Sequence, residues 1–398
     1  MSGHPHTIHL PGPDRIDPKR FILRNVLGVL ALVGIVLSII GALVDQRQFA
    51  FSWFLAFYYF FTIAIGSFYW VTLHYASDSE WSVITRRIWE NILALLPLLF
   101  LIFLPCLFFG PYLWQWMQPV HAHDPEWLKK AGYLNLPFFY IRVALYFGYF
   151  GLVGGWYWKQ SVLQDADGDP RRTRRMHDHS YFALVMFGTL ETFLAFDWLM
   201  GLDWHWSSSL FGAYNFGVCA QSSMAAGIVL VAMLRSGGHL KMLTHEHFYL
   251  MGKLLFAFTI VWAYFAFGQF LLIWYANIPE ETIFYNDHNR GHWVYVTYFI
   301  IVGKFIFPTI YLLAQDVKKS LCALTRVAVW LLFMHGVELY WFIMPYAHEK
   351  SILPSFWDFV SWITVASILG YAYLRYAASA SLVPTRDPRI VECLTVVN

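Results

Sequence analysis

Charge is what this 398-residue sequence has least of. Only 13% of its residues are Asp, Glu, Lys or Arg, against about 25% in an ordinary soluble domain, and the deficit is spread along the whole chain. Cysteine is nearly as scarce. Cys106, Cys219, Cys322 and Cys393 stand singly, with no CxxC, CxxCH or iron–sulfur spacing. That excludes covalent haem, a cluster held within this chain and a disulfide framework. No basic run is interleaved with aromatics, so the formal net charge of +2 offers nothing to a single-stranded nucleic acid. The opening stretch, MSGHPHTIHLPGPDRIDPKR, is polar and contains proline. It lacks the short apolar core and small-residue cleavage site of a signal peptide.

What is present is apolar surface: 58% of the residues are hydrophobic and 20% aromatic. A spanning helix needs roughly 20 mostly apolar residues. Ten such runs can be read, at about 22–44, 51–75, 84–110, 136–158, 180–201, 208–234, 247–276, 292–315, 321–345 and 355–379. Pro, Gly, Asp and clustered Lys or Arg separate them, as in the turn DADGDP ending at Pro170. The spans opening FSWFLAFYYF and LFGAYNFGVC share an aromatic spacing, and each precedes further long spans. The expected fold is therefore all-α: a polytopic membrane protein of ten transmembrane helices, in two four-helix bundles (about 51–205 and 206–345) flanked by two extra helices. Residues 1–21 and 381–398 are expected as tails.

Lys and Arg divide unevenly between the loops. Arg15, Lys19, Arg20, Arg24, Arg86, Arg87, Lys159, the Arg171–Arg175 run, Arg235, Lys241, Lys318, Lys319, Arg326, Arg375, Arg386 and Arg389 fall on one side. Arg47, Lys129, Lys130, Arg290 and Lys350 fall on the other. This asymmetry predicts both termini in the cytoplasm and an even number of crossings. The other side carries the aromatic stretches 111–127, 203–206 and 274–282, read as interfacial anchors or as a partner's docking loops.

Several ionisable residues fall inside the apolar runs: Arg142, Glu191, Asp197, Lys253, Lys304, His335 and Glu338. A charge at the bilayer centre costs at least about 2.5 kcal/mol, so such residues face a bundle interior or wet cavity and take partners. Depth along the spans suggests a ladder, from Lys253 through Lys304 and Glu191 to Asp197, His335, Glu338 and Arg142. His335 and Glu338, three apart, are expected on one face. Lys253, Ile260 and Tyr264 fall along one stripe. Glu191 and Asp197, six apart, point to different sides, with Glu191 expected to meet a base. Pro308 has no N–H to give the Lys304 carbonyl. Arg142 is the buried ion-pair candidate. His335 has no facing histidine at like depth for haem. His239, His245 and His247, like His4, His6 and His9, read as solvated loop residues despite metal-like spacing.

Five runs carry a resemblance: FDWLMGLDWHW from Phe196, LFGAY from Leu210, GKLLFAF from Gly252, WYANIPEET from Trp274 and ELYW from Glu338. They resemble the ActF-type membrane subunit of bacterial alternative complex III, a quinol:electron-acceptor oxidoreductase related to polysulfide-reductase-type (NrfD-like) membrane subunits. The resemblance spans about 180–345. It implies a non-redox subunit of the bacterial cytoplasmic membrane, contributing to proton translocation and assembly. Its implied partners are an ActC-type quinol-binding subunit, an iron–sulfur subunit and c-type cytochromes, which carry the clusters and haems. Asp197, His205, Lys253 and Glu338 lie in the matched runs. Lys304 stands near where that family is expected to have a histidine. Together with Glu191, Tyr264, Lys304 and His335 they are the proton-relay candidates. Two other readings stay open. The chain itself binds menaquinol or ubiquinol near its outer surface, with Asp197 or His205 taking the hydroxyl proton. Alternatively it is a secondary transporter, for which matching broken helices in two halves are the signal.

Overall fold

The computed structural model describes residues 12–17, 22–118, 125–348 and 351–396. His4, His6, His9, Lys19, Arg20 and Lys350 lie outside them. Among the described residues there are helices and turns and no strand. Nine helices are long and apolar enough to cross a membrane: α1 (Ile22–Val44), α2 (Gln46–Ala76), α3 (Glu80–Phe108), α4 (Leu136–Asp167), α5 (Pro170–Leu202), α6 (Phe211–Ser236), α7 (His245–Ala276), α8 (Trp293–Leu313) and α9 (Leu321–Tyr346). A further helix, α10 (Phe356–Ser379), has 24 residues and is not among these nine.

Capping rather than hydropathy ends these helices. Asn135 accepts the Phe138 N–H at 3.0 Å to start α4, and Gly168 at φ +69° closes it in the left-handed region that glycine tolerates. Asp169 then accepts from Arg171 N, with Pro170 in the first turn, and α5 begins at once. Both helices therefore run well past the apolar stretches 136–158 and 180–201. The Arg171–Arg175 run lies in the first turns of α5, not in a loop.

Helix α2 is the central post. Phe51, Phe54, Phe57, Tyr58, Phe68 and Trp70 along it are fully buried, so it is apolar on every side, as a helix enclosed by others must be. It packs along α6, and a Cβ on Gly66 would lie 2.0 Å from the Cys219 carbonyl oxygen. That contact is the close backbone approach small residues permit within membranes. Helices α2, α3, α4 and α5 pack in a ring, as do α6, α7, α8 and α9. Helix α1 lies antiparallel along α10, where a Cβ on Gly34 would strike Thr364 at 2.2 Å, and both lean on α2.

One end of the molecule differs from the expected tails. Leu382, Val383, Ile390 and Cys393 are buried, and Leu382 N–H donates to the Asp14 carbonyl at 2.7 Å. The chain ends thus meet on one face. Arg86 and Arg87, at the start of the expected span 84–110 and assigned by charge to the side of the termini, are fully buried. Arg86 bridges Glu90 (3.1 Å) and Asp387 (2.6 Å), while Arg87 bridges Glu90 (3.0 Å) and Asp165 (2.9 Å). Arg389 joins Asp78 at 2.6 Å. The C-terminal segment is a folded base plate because its carboxylate is the counter-charge for buried guanidinium groups.

Burial alone would raise the Asp387 carboxyl, but Arg86 and Arg389 bring it down to about 2. A folded value below the ordinary 3.8 means this stabilisation is present above that pH and lost as pH falls through about 2. Asp387→Asn should therefore destabilise the detergent-solubilised protein by about 3–5 kcal/mol at neutral pH. In thermal unfolding the difference from wild type should narrow only below about pH 4, as the carboxyl protonates.

Candidate functional site

The deepest ion pair joins α8 to α9. Lys304 donates its ammonium to Glu338 Oε2, with both side chains fully buried. The other carboxylate oxygen accepts twice, from the Tyr214 hydroxyl on α6 and the Trp262 indole N–H on α7, each at 2.6 Å. The other three helices of the α6–α9 ring thus each send one side chain to a single carboxylate on α9. The Lys304 ammonium also lies 4.7 Å from the centre of the Trp262 ring, within cation–π range. Residues Ile301–Ile306 form a π-helical stretch around Lys304, beside Pro308, whose absent N–H had marked this turn. Such wide turns recur at functional sites.

A second carboxylate lies across α6. Glu191 Oε1 accepts from the Asn215 side-chain amide at 2.7 Å, and the Asn215 carbonyl accepts from the Tyr58 hydroxyl at 3.0 Å. The expected base is not there. Among the described residues no Lys or Arg pairs with Glu191, because its turn of α5 faces the neutral residues of α6 and α2. Tyr214 and Asn215 are adjacent and face opposite sides, so α6 serves both carboxylates. The buried Cys219 thiol, one turn further on, is in electrostatic reach of Glu191, Lys304 and Glu338 together.

Asp197 belongs to a different assembly. Arg142 grips it with two parallel bonds, Nε to Oδ2 at 2.7 Å and Nη2 to Oδ1 at 2.9 Å, and Tyr146 adds its hydroxyl at 2.6 Å. The guanidinium also donates to the Tyr133 carbonyl and lies 3.9 Å from that ring's centre. The bidentate fork fixes both groups in geometry and joins α4 to α5. Asp197 is thus one half of a buried clamp, in a cluster separate from Glu338.

The remaining candidates scatter. His335 turns to α2, its Nε2 2.9 Å from the Thr62 hydroxyl and its ring against Tyr59, so it and Glu338 serve different neighbours despite their spacing. Lys253 lies on α7 roughly 13 Å along the axis from Trp262, its ammonium 4.7 Å from the Tyr249 ring centre. Tyr264 is 71% exposed, so the stripe through it faces outward. His205 sits in the loop after α5, its backbone N–H and ring Nδ1 both on Asp203 Oδ1. The membrane-crossing ladder thus resolves into separate clusters. His239 meets Asp14, His245 meets the Lys319 carbonyl, and His247 is buried beside Thr244 and Cys393. Among the described residues no group of three or more His, Cys, Asp or Glu is placed to hold a metal.

Sequence reasoning missed Tyr58, Tyr214, Asn215 and Trp262, the neutral partners that define both carboxylate sites. One signal was available: a tyrosine and an asparagine side by side in the span that follows the acidic stretch.

If Arg142 and Asp197 form a clamp, Arg142→Leu alone should cost about 3–5 kcal/mol by stranding a buried carboxylate, and Arg142→Leu with Asp197→Leu should recover most of it. Thermal unfolding of the two variants beside Asp197→Leu measures the coupling. Strictly additive effects would refute the clamp. In comparisons with known proteins, no family model matches this chain and no curated protein gives a significant match.

Proposed function

We propose that this chain is a proton-handling integral-membrane subunit of a bacterial quinol:acceptor oxidoreductase of the alternative complex III type. In this reading it lies in the cytoplasmic membrane beside quinol-binding, iron–sulfur and c-type cytochrome subunits, and electrons do not pass through it. The observation that carries it is the Lys304–Glu338 pair, a proton acceptor and a proton donor fully buried and connected to two further polar donors. In hydrocarbon, an ionisable pair of this depth is costly to keep and marks function by default. Proton transfer within the pair changes the charge on each group without any large movement. Glu191, with neutral partners on the far side of α6, is the second station of the path.

The reading includes ten crossings, arranged as two four-helix bundles and a flanking pair, with both termini cytoplasmic. Support for the tenth comes from parity. Residues 14 and 382 are hydrogen-bonded to each other, which favours an even number of crossings between them. Helix α10, at roughly 36 Å if straight, is long enough to span. Quinol binding by Asp197 or His205 is disfavoured in this arrangement, since Asp197 is clamped and His205 folds back on Asp203.

The test uses the assembled complex in proteoliposomes. Glu338→Gln and Lys304→Met should each lower the number of protons translocated per electron by at least half. Quinol oxidation under uncoupled conditions should stay within about threefold of wild type. Unchanged stoichiometry in both variants, with the complex intact, would remove Glu338 from any proton path.

A further inference from the structure

Between α8 and α9, the short helix Gln315–Lys319 packs against the first turns of α7. Its fit depends on Gly252, where an added Cβ would lie 2.9 Å from both Cβ and Cγ of Lys318. The His245 ring fastens the other end, its Nδ1 3.0 Å from the Lys319 carbonyl. This packing gathers three ammonium groups around one ring. Lys253, Lys319 and Lys318 stand 4.7, 5.2 and 5.9 Å from the centre of Tyr249. Lys318 is buried, and its ammonium also lies 5.4 Å from the Phe256 ring centre.

Like charges held this close repel. Burial first, and then Lys253, hold the Lys318 ammonium below the ordinary lysine value. The acids on these segments do not balance the cluster. Glu246 is 3.6 Å from Lys319, and Asp316, in the first turn of the short helix, is exposed. Three cations against two carboxylates leave an excess of positive charge, which an anion among the lysines would offset.

Depth and surroundings select the anion. Lys253 is eight residues into α7, roughly 12 Å from its start, a depth from which a lysine stem lies in apolar surface and its ammonium reaches the headgroup level. Beside the cluster the outer surface is apolar, with Ile310 and Leu313 on α8 65% and 63% exposed. Beginning at Ile260, roughly 10 Å further along α7, a groove of about 710 Å³ opens between α7 and α8, with the exposed rings of Tyr264 and Phe267 on its rim. Because that rim lies on apolar spans, the mouth faces the acyl chains of the bilayer. A free phosphate gains nothing from an apolar slot, whereas a phosphodiester that carries acyl chains fills it. Basic pockets between spanning helices are a recurrent seat for anionic lipid heads.

We infer that Lys253, Lys318 and Lys319 hold the phosphate of an anionic phospholipid, one of whose acyl chains passes Ile260 into the α7–α8 groove. The lipid belongs to the leaflet on the side where the chain ends meet, since His239, in the loop before α7, pairs with Asp14. The site shares no residue with the Lys304–Glu338 pair and stands independently of the function proposed above.

Native mass spectrometry of the full chain, released from detergent after incubation with dioleoyl phosphatidylglycerol or dioleoyl phosphatidylcholine, tests the site. Wild type should retain the anionic lipid at least tenfold better than the zwitterionic one, and better than dihexanoyl phosphatidylglycerol, whose chains are too short to fill the groove. Lys253→Gln and Lys318→Gln should each lower that retention about fivefold, whereas Lys241→Gln, which removes an exposed charge on the same side, should leave it within about twofold. Equal retention of the two dioleoyl lipids by wild type would overturn the site even where a lysine variant fails to fold. Retention unchanged in both lysine variants would overturn it too. Displacement of the dioleoyl lipid by excess inorganic phosphate would make this a seat for a free anion and sink the lipid.

Discussion

Glu338 is fully buried, and the arrangement of four helices follows from that. A carboxylate at such depth must find its hydrogen bonds and its counter-charge within the protein. Lys304, Tyr214 and Trp262 supply them from α8, α6 and α7. Supplying them fixes how close these helices stand and how they are turned about their axes. A shift of one residue in any of the three would carry its side chain about 100° around the helix and strand the carboxylate. The apolar packing around the site is permissive by comparison, since rings and aliphatic chains of similar volume exchange at modest cost.

The intramembrane charges divide by partner chemistry. Where a guanidinium forks onto a carboxylate, as with Arg142 and Asp197, both groups are locked in a planar geometry that joins two helices. At the base plate Arg86 and Arg389 tie the first ring to the C-terminal segment through Asp387 and Asp78, while Arg87 ties α3 to α4 through Asp165. Lysine offers a point charge on a flexible stem, and it is the cation that yields its proton more readily. It is lysine that meets Glu338. Among the described residues Glu191 meets no Lys or Arg. The chain thus uses arginine where it fastens one segment to another, and lysine or a neutral amide at the two carboxylates on either side of α6.

Much of this was legible in the sequence, and the limits have physical reasons. Hydropathy locates the long helices because the lack of charge is local and sustained. Arg142, Glu191, Lys304 and Glu338 stand out because charge is expensive in such runs. Pairing was harder to read, since depth along separate spans orders residues without saying which helices are neighbours. Asp197 and Glu338 were placed in one ladder, yet they belong to different rings. The spacing of His335 and Glu338 put them on one side of α9, but a side of a helix is wide enough to touch α2 with one residue and α6 with another. Buried Arg86 and Arg87 were hidden by a rule that reads basic residues only for the side on which they lie. Their i, i+4 and i, i+3 relation to Glu90 was the available clue. Neutral partners such as Asn215 and Tyr214 carry no cost that hydropathy registers, so only the fold reveals them.

The π-helical stretch of α8 connects these strands of argument. An α-helix that ran straight through Pro308 would lose the hydrogen bond to the Lys304 carbonyl and meet the proline ring one turn earlier. Widening the helix over Ile301–Ile306 relaxes that conflict and rotates the residues before it relative to those after. The freed Gly303 carbonyl accepts the Trp330 indole at 2.7 Å from α9, so the irregular backbone is satisfied by the same neighbour that carries Glu338. A proline and a π-turn weaken a helix. Their position beside a lysine that reaches a buried carboxylate places the local weakness where α8 must aim a side chain inward. The same turn forms part of the wall of the lipid-facing groove, through Ile301 and Phe305.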